Sequence, residues 1–297
     1  MTEMKKYTDI VRLGHRLTEG VLNEGDYVVA YEKLDGANAS IKVENGEVKA
    51  FSRNRPLDSE NTLRGFYGFA QTVDPSMLRK GFIYYGEWLV KHKVDYGVHA
   101  DDFYLFDVYD EEVGEYLPHE LVVVEAARLG LTLAPILYAG MYKGFEHLQS
   151  IVGRSALASV AGGGEGIVVK NVDYRDRFGK QTFVKLVSDN FREVQPQKAP
   201  KDPGAIGEEV VFVRSTVTKA RVDKFIRKMV DEGLLDEKFG LEDMGVILKN
   251  LGGLLFDDLI KEESDSLPKD YNEKLIRKAI GKVAPVLVRE IIEEETK

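Results

Sequence analysis

Hydrophobic and polar positions alternate in the first two thirds of the chain as they do in β-strands with one buried face. Asn45-Gly46 is the typical dipeptide of a two-residue hairpin turn. Helical spacing predicts helices over Glu120–Leu129 and Phe145–Ala161. The strands predicted by the alternation and by short apolar runs are Tyr27–Tyr31, Ala39–Val43, Val48–Phe51, Phe82–Val90, Phe103–Tyr109, Gly166–Lys170 and Thr182–Val187.

The pattern becomes helical after residues 195–207, a polar stretch that contains three prolines. Helices are predicted beyond it over Glu208–Glu232, Leu241–Glu263 and Tyr271–Glu295, and Pro285 should kink or split the last one. We therefore predict an α+β protein, with an antiparallel-sheet domain followed by a small all-helical domain. The predicted boundaries are 1–195 for the first domain, 196–207 for a linker and 208–297 for the helical domain.

Composition narrows the classes of protein to consider. The hydrophobic share of 43% and the charged share of 31% are ordinary for a folded globular protein. The chain has no cysteine, which excludes disulfides, thiolate metal sites and a cysteine nucleophile. No segment approaches the roughly 18 apolar residues of a membrane span, and the polar start does not resemble a signal peptide. We expect a monomer in the cytoplasm, or a viral protein acting in the cytoplasm of its host, without a membrane partner.

The net charge of −9 weighs against binding a polyanion unless basic residues are locally clustered. Residues 205–297 contain 16 basic and 20 acidic residues, so the helical domain has no overall basic excess. Arg221, Lys224 and Lys228 nevertheless fall on one helix face at spacings of three and four. We predict that this face contacts a nucleic-acid backbone; a merely solvated helix face is the alternative.

The strongest candidate for chemistry is Lys33-Leu34-Asp35-Gly36, at the end of a predicted strand. A lysine nucleophile on a rigid strand end, followed by a turn glycine, suits attack on phosphorus. An ordinary lysine amine has a pKa of about 10.4 and must lose a proton before it can attack, so nearby cations or a metal would have to lower the pKa of Lys33. Alone, the tetrapeptide is better explained as a surface Lys–Asp pair at a turn.

Five further segments follow Lys33 in order, and together they favour the lysine nucleophile over the surface pair. They are Phe51-Ser52-Arg53-Asn54-Arg55, Tyr85-Gly86-Glu87-Trp88, Leu105-Phe106-Asp107-Val108, Glu165-Gly166-Ile167-Val168-Val169-Lys170 and Phe183-Val184-Lys185-Leu186. The series resembles the covalent nucleotidyltransferase superfamily of ligases and capping enzymes. This resemblance implies that the antiparallel-sheet domain is an ATP-grasp-like adenylation domain.

Within that superfamily the chain looks most like the nick-sealing phage RNA ligases, relatives of the trypanosome editing ligases. Lys5-Lys6-Tyr7, the positions of Asn38 and Arg53 after Lys33, and the helical C-terminal region carry this likeness. DNA ligases and capping enzymes carry a β-barrel domain instead, and no such strand pattern follows here.

The resemblance implies an ATP-dependent ligase that uses Mg²⁺ or Mn²⁺ and joins RNA 5′-phosphate and 3′-hydroxyl ends, with a nicked duplex as the expected substrate. Lys33 would form a lysyl-AMP, Glu165 would hold the metal and Arg55 would contact the nucleic acid. Glu87 would accept a ribose hydrogen bond, and Phe106 would stack on adenine unless it is plain core. The full implied set for the nucleotide is Tyr7, Glu32, Lys33, Asp35, Gly36, Asn38, Arg53, Glu87, Phe106, Lys170 and Lys185.

One residue departs from the pattern of these ligases, which usually carry two lysines spaced by one residue in the last motif. Here Lys185 is followed by Leu186 and Val187, so the second cation is missing. Lys170 or Lys180 is a candidate replacement. Three alternatives stay open: a DNA ligase, a GTP-using capping enzyme, and an RNA-binding module with degenerate activity. Single-stranded RNA and an RNA/DNA hybrid also remain open as substrates.

Overall fold

In the computed structural model the described residues are 4–160, 163–176, 178–191 and 207–295. The chain forms two compact units, Met1–Ser188 and Asp189–Lys297. The first unit combines sheets with short helices and the second is all-helical, which confirms the predicted α+β class. Of the predicted linker 196–207, only Gly207 lies within the described residues, so its boundaries stay a prediction.

The first unit contains eleven described strands and three described α-helices. The helices are α1 (Phe66–Ala70), α2 (His119–Leu129) and α3 (Phe145–Ile151). The strands are β1 (Val11–Arg12), β2 (Tyr27–Lys33), β3 (Ala37–Glu44), β4 (Glu47–Ser52), β5 (Phe82–Trp88), β6 (Phe103–Asp110), β7 (Glu115–Tyr116), β8 (Thr132–Leu133), β9 (Ile136–Met141), β10 (Gly166–Asn171) and β11 (Phe183–Val187).

These strands form two mainly antiparallel sheets. The order in the first sheet is β1-β11-β10-β2-β9, with β1 parallel to β11. The order in the second is β4-β3-β5-β6-β7, and β8 adds to β6 in parallel. Outer faces of the sheets carry separate cores: α3 supplies Leu148 and Ile151 to the first, and α1 and α2 supply Phe66 and Val122 to the second.

The inner faces of the two sheets meet in an aromatic cluster formed by Tyr7, Ile83, Tyr85, Tyr109, Tyr116, Val168 and Phe183. Val168 lies opposite Tyr31 in the first sheet. Because side chains alternate along a strand, Lys33 shares the inner face with Tyr31, and Glu87 shares it with Tyr85. The two sheets therefore direct Lys33 and Glu87 to the same side of the aromatic cluster.

Sequence patterns identified most of these elements. All seven predicted strands are present, and the hairpin at Asn45-Gly46 is confirmed by positive φ angles of 52° and 80°. Strand β9 was missed because Ile136–Met141 has no clear alternation and includes Gly140. The prediction of one helix over Phe145–Ala161 was wrong. Helix α3 ends at Ile151, because Val152 is extended and Gly153 has a φ of 80°.

The second unit contains α4 (Glu208–Thr216), α5 (Lys219–Asp231), α6 (Met244–Glu262) and α7 (Glu273–Glu295) around one apolar core. The single helix predicted over Glu208–Glu232 was wrong, because Thr218 is extended and its hydroxyl caps α5 by accepting the Arg221 N–H. Helix α7 continues past Pro285 and is not split. None of the described helices is long and apolar enough to cross a membrane.

Candidate active site

Lys33 ends strand β2 and contacts a carboxylate that directly precedes the neighbouring strand. Its Nζ atom lies 2.5 Å from Oε1 of Glu165, directly before β10. Lys33 pairs with Gly166, and Gly166 pairs in turn with Val187 of β11. A Cβ atom on Gly166 would lie 2.1 Å from the Leu186 carbonyl oxygen. Glycine at this position therefore permits the close approach of the two strands beside Lys33.

The turn after Lys33 is held by side chains from distant parts of the unit. The Asp35 carboxylate accepts the backbone N–H groups of Lys93 and Val94, both at 2.8 Å. The Asp35 N–H donates to the Tyr96 hydroxyl at 2.7 Å, and the Gly36 N–H donates to Glu87 at 3.1 Å. These bonds give Asp35 and Gly36 a role in fixing the turn that follows Lys33.

Charges around Lys33 favour its protonated form in the absence of ligand. Burial lowers the pKa of Lys33, but the Glu165, Glu87 and Asp35 carboxylates raise it above the ordinary value. Burial raises the pKa of Glu87 to about 8, against the opposing effect of Lys33. Burial also raises the pKa of Glu165. The lysine and the carboxylates are thus electrostatically linked, and a change at one alters the others.

Lys170 lies on the inner face but its charge is used within the protein. Its Nζ donates to the Asp107 carboxylate and to the Phe106 carbonyl oxygen, each at 2.7 Å. The side chain is buried, and burial lowers its pKa despite the opposing effect of Asp107. The prediction that Lys170 contacts the nucleotide or replaces the missing second cation was therefore wrong. It balances the buried carboxylate of Asp107 instead.

Tyr7 and Phe106 adjoin this ion pair. The buried Tyr7 hydroxyl donates to Asp107 at 2.7 Å, and its ring lies 4.8 Å from that of Phe106 in an edge-on arrangement. Phe106 is half-buried at a β-bulge, where the pairing of β5 and β6 passes from Tyr85–Asp107 to Gly86–Leu105. A bulge redirects the extra residue. The structure thus makes Tyr7 a support behind Phe106 and leaves part of the Phe106 ring accessible.

Other predicted nucleotide residues divide between the two faces of the sheets. Asn38 pairs with Glu87, and Lys185 pairs with Val168, which puts both on the inner faces with Lys33. Glu32 alternates with Lys33 and lies on the opposite face of β2. Its carboxylate accepts bonds from the Ser155 hydroxyl and from the Ala156 N–H. The structure therefore does not bring the Glu32 carboxylate together with the other predicted site residues.

The two predicted arginines lie after strand β4 and have protein partners. Arg53 forms an ion pair of 2.9 Å with Asp9, and its side chain is 35% exposed. Arg55 is half-buried and donates to the Asn61 side chain at 3.3 Å. Arg53 remains accessible enough to exchange Asp9 for another anion.

The basic face predicted on α5 is largely neutralised. Arg221 is only 1% exposed and binds Glu263 at 2.6 Å and Asp258 at 3.0 Å. Its predicted contact with nucleic acid was therefore wrong, because its side chain is part of the core of the helical unit. Lys224 is paired with Asp258 at 3.2 Å, and Lys228 packs over the Phe225 ring.

The carboxylates beside Lys33 fit a divalent ion of the magnesium type. Within the described residues, no group of three or more His, Asp or Glu side chains is arranged to hold a metal alone. Mg²⁺ usually binds one or two carboxylates and completes its shell with phosphate oxygens and water. Glu165, an oxygen ligand whose negative charge now faces Lys33, meets that requirement.

The sequence did not reveal three residues that hold β2 and the turn after it: Tyr96, which bonds Asp35, and Ser155 and His119, which bond Glu32 and Tyr31. Tyr96 is hydrogen-bonded to a residue that lies 61 positions away in the sequence, and Ser155 to one that lies 123 positions away. His119 is hydrogen-bonded to the Tyr31 hydroxyl, 88 positions away. None of the three stands in a recognisable motif. Their roles depend on contacts that only the folded chain creates.

One known protein family and several solved structures are similar to this chain. Residues 26–187 match the family model described as RNA ligase. Among curated proteins no sequence matches significantly. A Naegleria gruberi RNA ligase mutant solved with ATP and Mn is 20% identical over 63% of this chain and 57% of that one, with a TM-score of 0.49. Another mutant, with AMP and Mn, is 21% identical over the same shares, with a TM-score of 0.47. This chain thus spans less than two thirds of those proteins.

Because the family model covers more than half of the present sequence, including every candidate nucleotide residue except Tyr7, the chain belongs to the RNA ligase family.

Proposed function

We propose that this protein is an ATP-dependent RNA ligase that works through a lysyl-AMP on Lys33. The observation that carries the proposal is the contact between Lys33 and Glu165 on the inner face of the first sheet, beside Glu87 from the second. Covalent catalysis divides ligation into phosphoryl transfers that each have a good leaving group.

The first step requires neutral Lys33. The unprotonated Nζ attacks the α-phosphorus of ATP, a P–N bond forms, and the bond to the departing pyrophosphate breaks. Separation of Lys33 from Glu165 removes the main interaction that keeps the lysine protonated. When bound by Glu165, the metal supplies charge that neutralises phosphate oxygens.

The next two steps transfer AMP and seal the strand. An RNA 5′-phosphate oxygen displaces Lys33 from the AMP phosphorus, and a 3′-hydroxyl then attacks the activated 5′-phosphate and expels AMP. Glu87 accepts a hydrogen bond from a ribose hydroxyl, and Phe106 stacks the accessible part of its ring on adenine. Polar parts of the nucleotide are contacted by Asn38, Arg53 and Lys185.

We propose nicked duplex RNA as the substrate and the cytoplasm, including that of a viral host, as the place of action. The likeness of the motif series to nick-sealing ligases supports the substrate, and the absence of cysteine fits a reducing compartment. We propose that the protein acts as a monomer.

Intact-protein mass spectrometry after incubation with ATP and Mg²⁺ tests the proposal. Wild-type protein should gain the mass of one AMP, and Lys33→Ala should gain none. Nicked duplex RNA added to the adenylated protein should be sealed and remove the adduct. Wild-type protein without an adduct, even after stripping with pyrophosphate and reloading, would contradict the covalent mechanism.

A nucleotide and substrate panel separates the related activities. Labelling by GTP in place of ATP would indicate a capping reaction, and exclusive sealing of nicked DNA would indicate a DNA ligase. The position of Val187, on the inner face in the row of Lys33, favours one further candidate, a binding module with degenerate activity. That candidate predicts RNA binding without an AMP adduct.

A further inference from the structure

Helix α7 carries a basic surface that the sequence patterns did not single out. Between Glu273 and Glu290 it has five basic residues and no acidic one, although acidic residues outnumber basic ones in the helical unit. Lys274, Lys278 and Lys282 follow at intervals of four, and Arg289 comes seven residues later. At about 100° per residue these four fall within roughly a quarter of the helix circumference. We name them the α7 stripe.

The side chains of the α7 stripe differ from those of α5 in their partners. All four residues are exposed, and within the described part of the helical unit none forms a salt bridge. On α5, by contrast, Lys219 is paired with Glu294, Lys224 with Asp258 and Arg227 with Glu295. The α7 stripe therefore holds uncompensated positive charge, whereas the charge of α5 is compensated internally.

We propose that the α7 stripe binds the phosphate backbone of the RNA substrate, which rests on the proposed ligase function. The stripe extends over about 22 Å of helix, and Gly281 and Pro285 lie along the same face without an acidic group. Unpaired cations in such a row release counterions from a polyanion on binding. Charge complementarity thus assigns the stripe to RNA and gives α5 a structural role.

Fluorescence anisotropy of the full chain with a nicked RNA duplex at several salt concentrations tests this surface. Replacing the four residues of the α7 stripe by Gln should weaken binding at least tenfold at low salt. It should also make the logarithmic salt dependence shallower by about two or more. The matched control replaces four other exposed lysines of the same unit by Gln and should retain the wild-type affinity within about threefold. These control residues are Lys238, Lys249, Lys261 and Lys269.

Two further measurements separate the outcomes. AMP adduct formation in the stripe variant should equal that of wild type. Loss of RNA binding with unchanged adduct formation therefore supports the role of the α7 stripe in RNA binding. Unchanged affinity and salt dependence in the variant would overturn the inference even if the protein ligates RNA. If the stripe variant lost binding only to anionic lipid vesicles, the surface would face membranes and the RNA assignment would be wrong. Absence of the adduct in wild type would refute the ligase function, and RNA binding would still report on the stripe.

A separate observation concerns Arg12, which pairs with Lys185 across β1 and β11. Lys185 pairs with Val168, and Val168 pairs with Tyr31. Residues paired in register project on the same face, so Arg12 lies on the inner face with Lys33 and about one strand spacing from Lys185. The Leu13 N–H donates to the Lys185 carbonyl at 2.9 Å and fixes this register.

We infer that Arg12 is a phosphate-binding residue that supplies the second cation absent at Val187. Charge spread over several phosphate oxygens in the transition state requires more than one cation, and a guanidinium binds two such oxygens at once. Lys170 cannot serve, because its Nζ is held by Asp107 and Phe106. This inference also rests on the proposed function.

Single-turnover kinetics of adenylation and of nick sealing test Arg12. Arg12→Ala should slow at least one step tenfold or more, whereas Arg16→Ala, at an exposed arginine nearby, should change neither. Adding Val187→Lys to Arg12→Ala should restore much of the lost rate, since position 187 shares the inner face. Wild-type rates in a folded Arg12→Ala protein would overturn the inference, as would failure of the added lysine to restore any rate.

Discussion

Lys33 Nζ lies 2.5 Å from Glu165 Oε1, because Lys33 is opposite Gly166 in the first sheet and Glu165 directly precedes that glycine. Three neighbouring strands define this contact, and the third, β11, approaches over the bare backbone of Gly166. The site therefore depends on strand spacing as much as on the two charged groups.

Gly166→Ala should disrupt this spacing. The added Cβ would meet the Leu186 carbonyl oxygen at 2.1 Å and the Val187 Cα at 2.8 Å, so β11 must move. We expect a loss of about 2 kcal/mol or more in unfolding free energy and a strong loss of adenylation. Gly68→Ala is the matched control, since a Cβ there meets nothing within 4 Å. Urea unfolding and mass spectrometry check both variants, and a fully active Gly166→Ala protein would contradict the packing argument.

Lys170→Met should destabilise the protein through Asp107. The substitution leaves a carboxylate in the buried aromatic cluster without its ion-pair partner, which typically costs about 3 to 5 kcal/mol. Combining it with Asp107→Leu should cost less than the sum of the two single substitutions. Urea unfolding of the four proteins measures this coupling, and strictly additive effects would show that the pair is not a unit.

Arg221→Met should lower the unfolding free energy of the helical unit. Removal of the guanidinium leaves Glu263 buried without its cation, with an expected cost of about 3 to 5 kcal/mol. Lys224→Met removes a partly exposed ion pair and should cost less than about 1 kcal/mol. Denaturant unfolding gives both values. Equal, small effects would argue against a core role for Arg221.

Acid should weaken the contribution of Glu125 to the folding stability of the protein. Burial raises its pKa, but the bonds from Arg128 and Tyr84 outweigh this effect and hold the pKa below the ordinary value. A lowered folded pKa means that the stabilisation is present above the unfolded value of about 4.3 and is lost as the pH falls through the folded value. The stability difference between wild type and Glu125→Gln should thus be about 2 kcal/mol at pH 6 and shrink toward pH 3. Urea titrations across this range check the trend, which a constant difference would contradict.

Alternation of side chains was enough to predict the α+β class and seven strands. The order of the motifs pointed to Lys33 as the nucleophile, which stays a prediction. Local signals failed where they were weak or interrupted. Strand β9 contains Gly140, and the break between α4 and α5 depends on the capping hydroxyl of Thr218. Both features are decided by packing or by one hydrogen bond, which hydrophobic periodicity does not record.

The sequence by itself determined which residue types were present for chemistry, since a strand-end lysine followed by ordered Arg, Glu, Phe and Lys motifs is a local, readable pattern. Only the tertiary structure decided which charges remain available. Lys170 and Arg221 look equivalent to any other basic residue along the chain, yet burial against Asp107 and Glu263 commits their charge to the core. The α7 stripe acquires its significance in the same way, and the place of Arg12 follows from the register of β1 and β11. Pairing between distant residues and exposure to solvent are properties of the folded chain, and they determine whether a cation stabilises the protein or meets a phosphate.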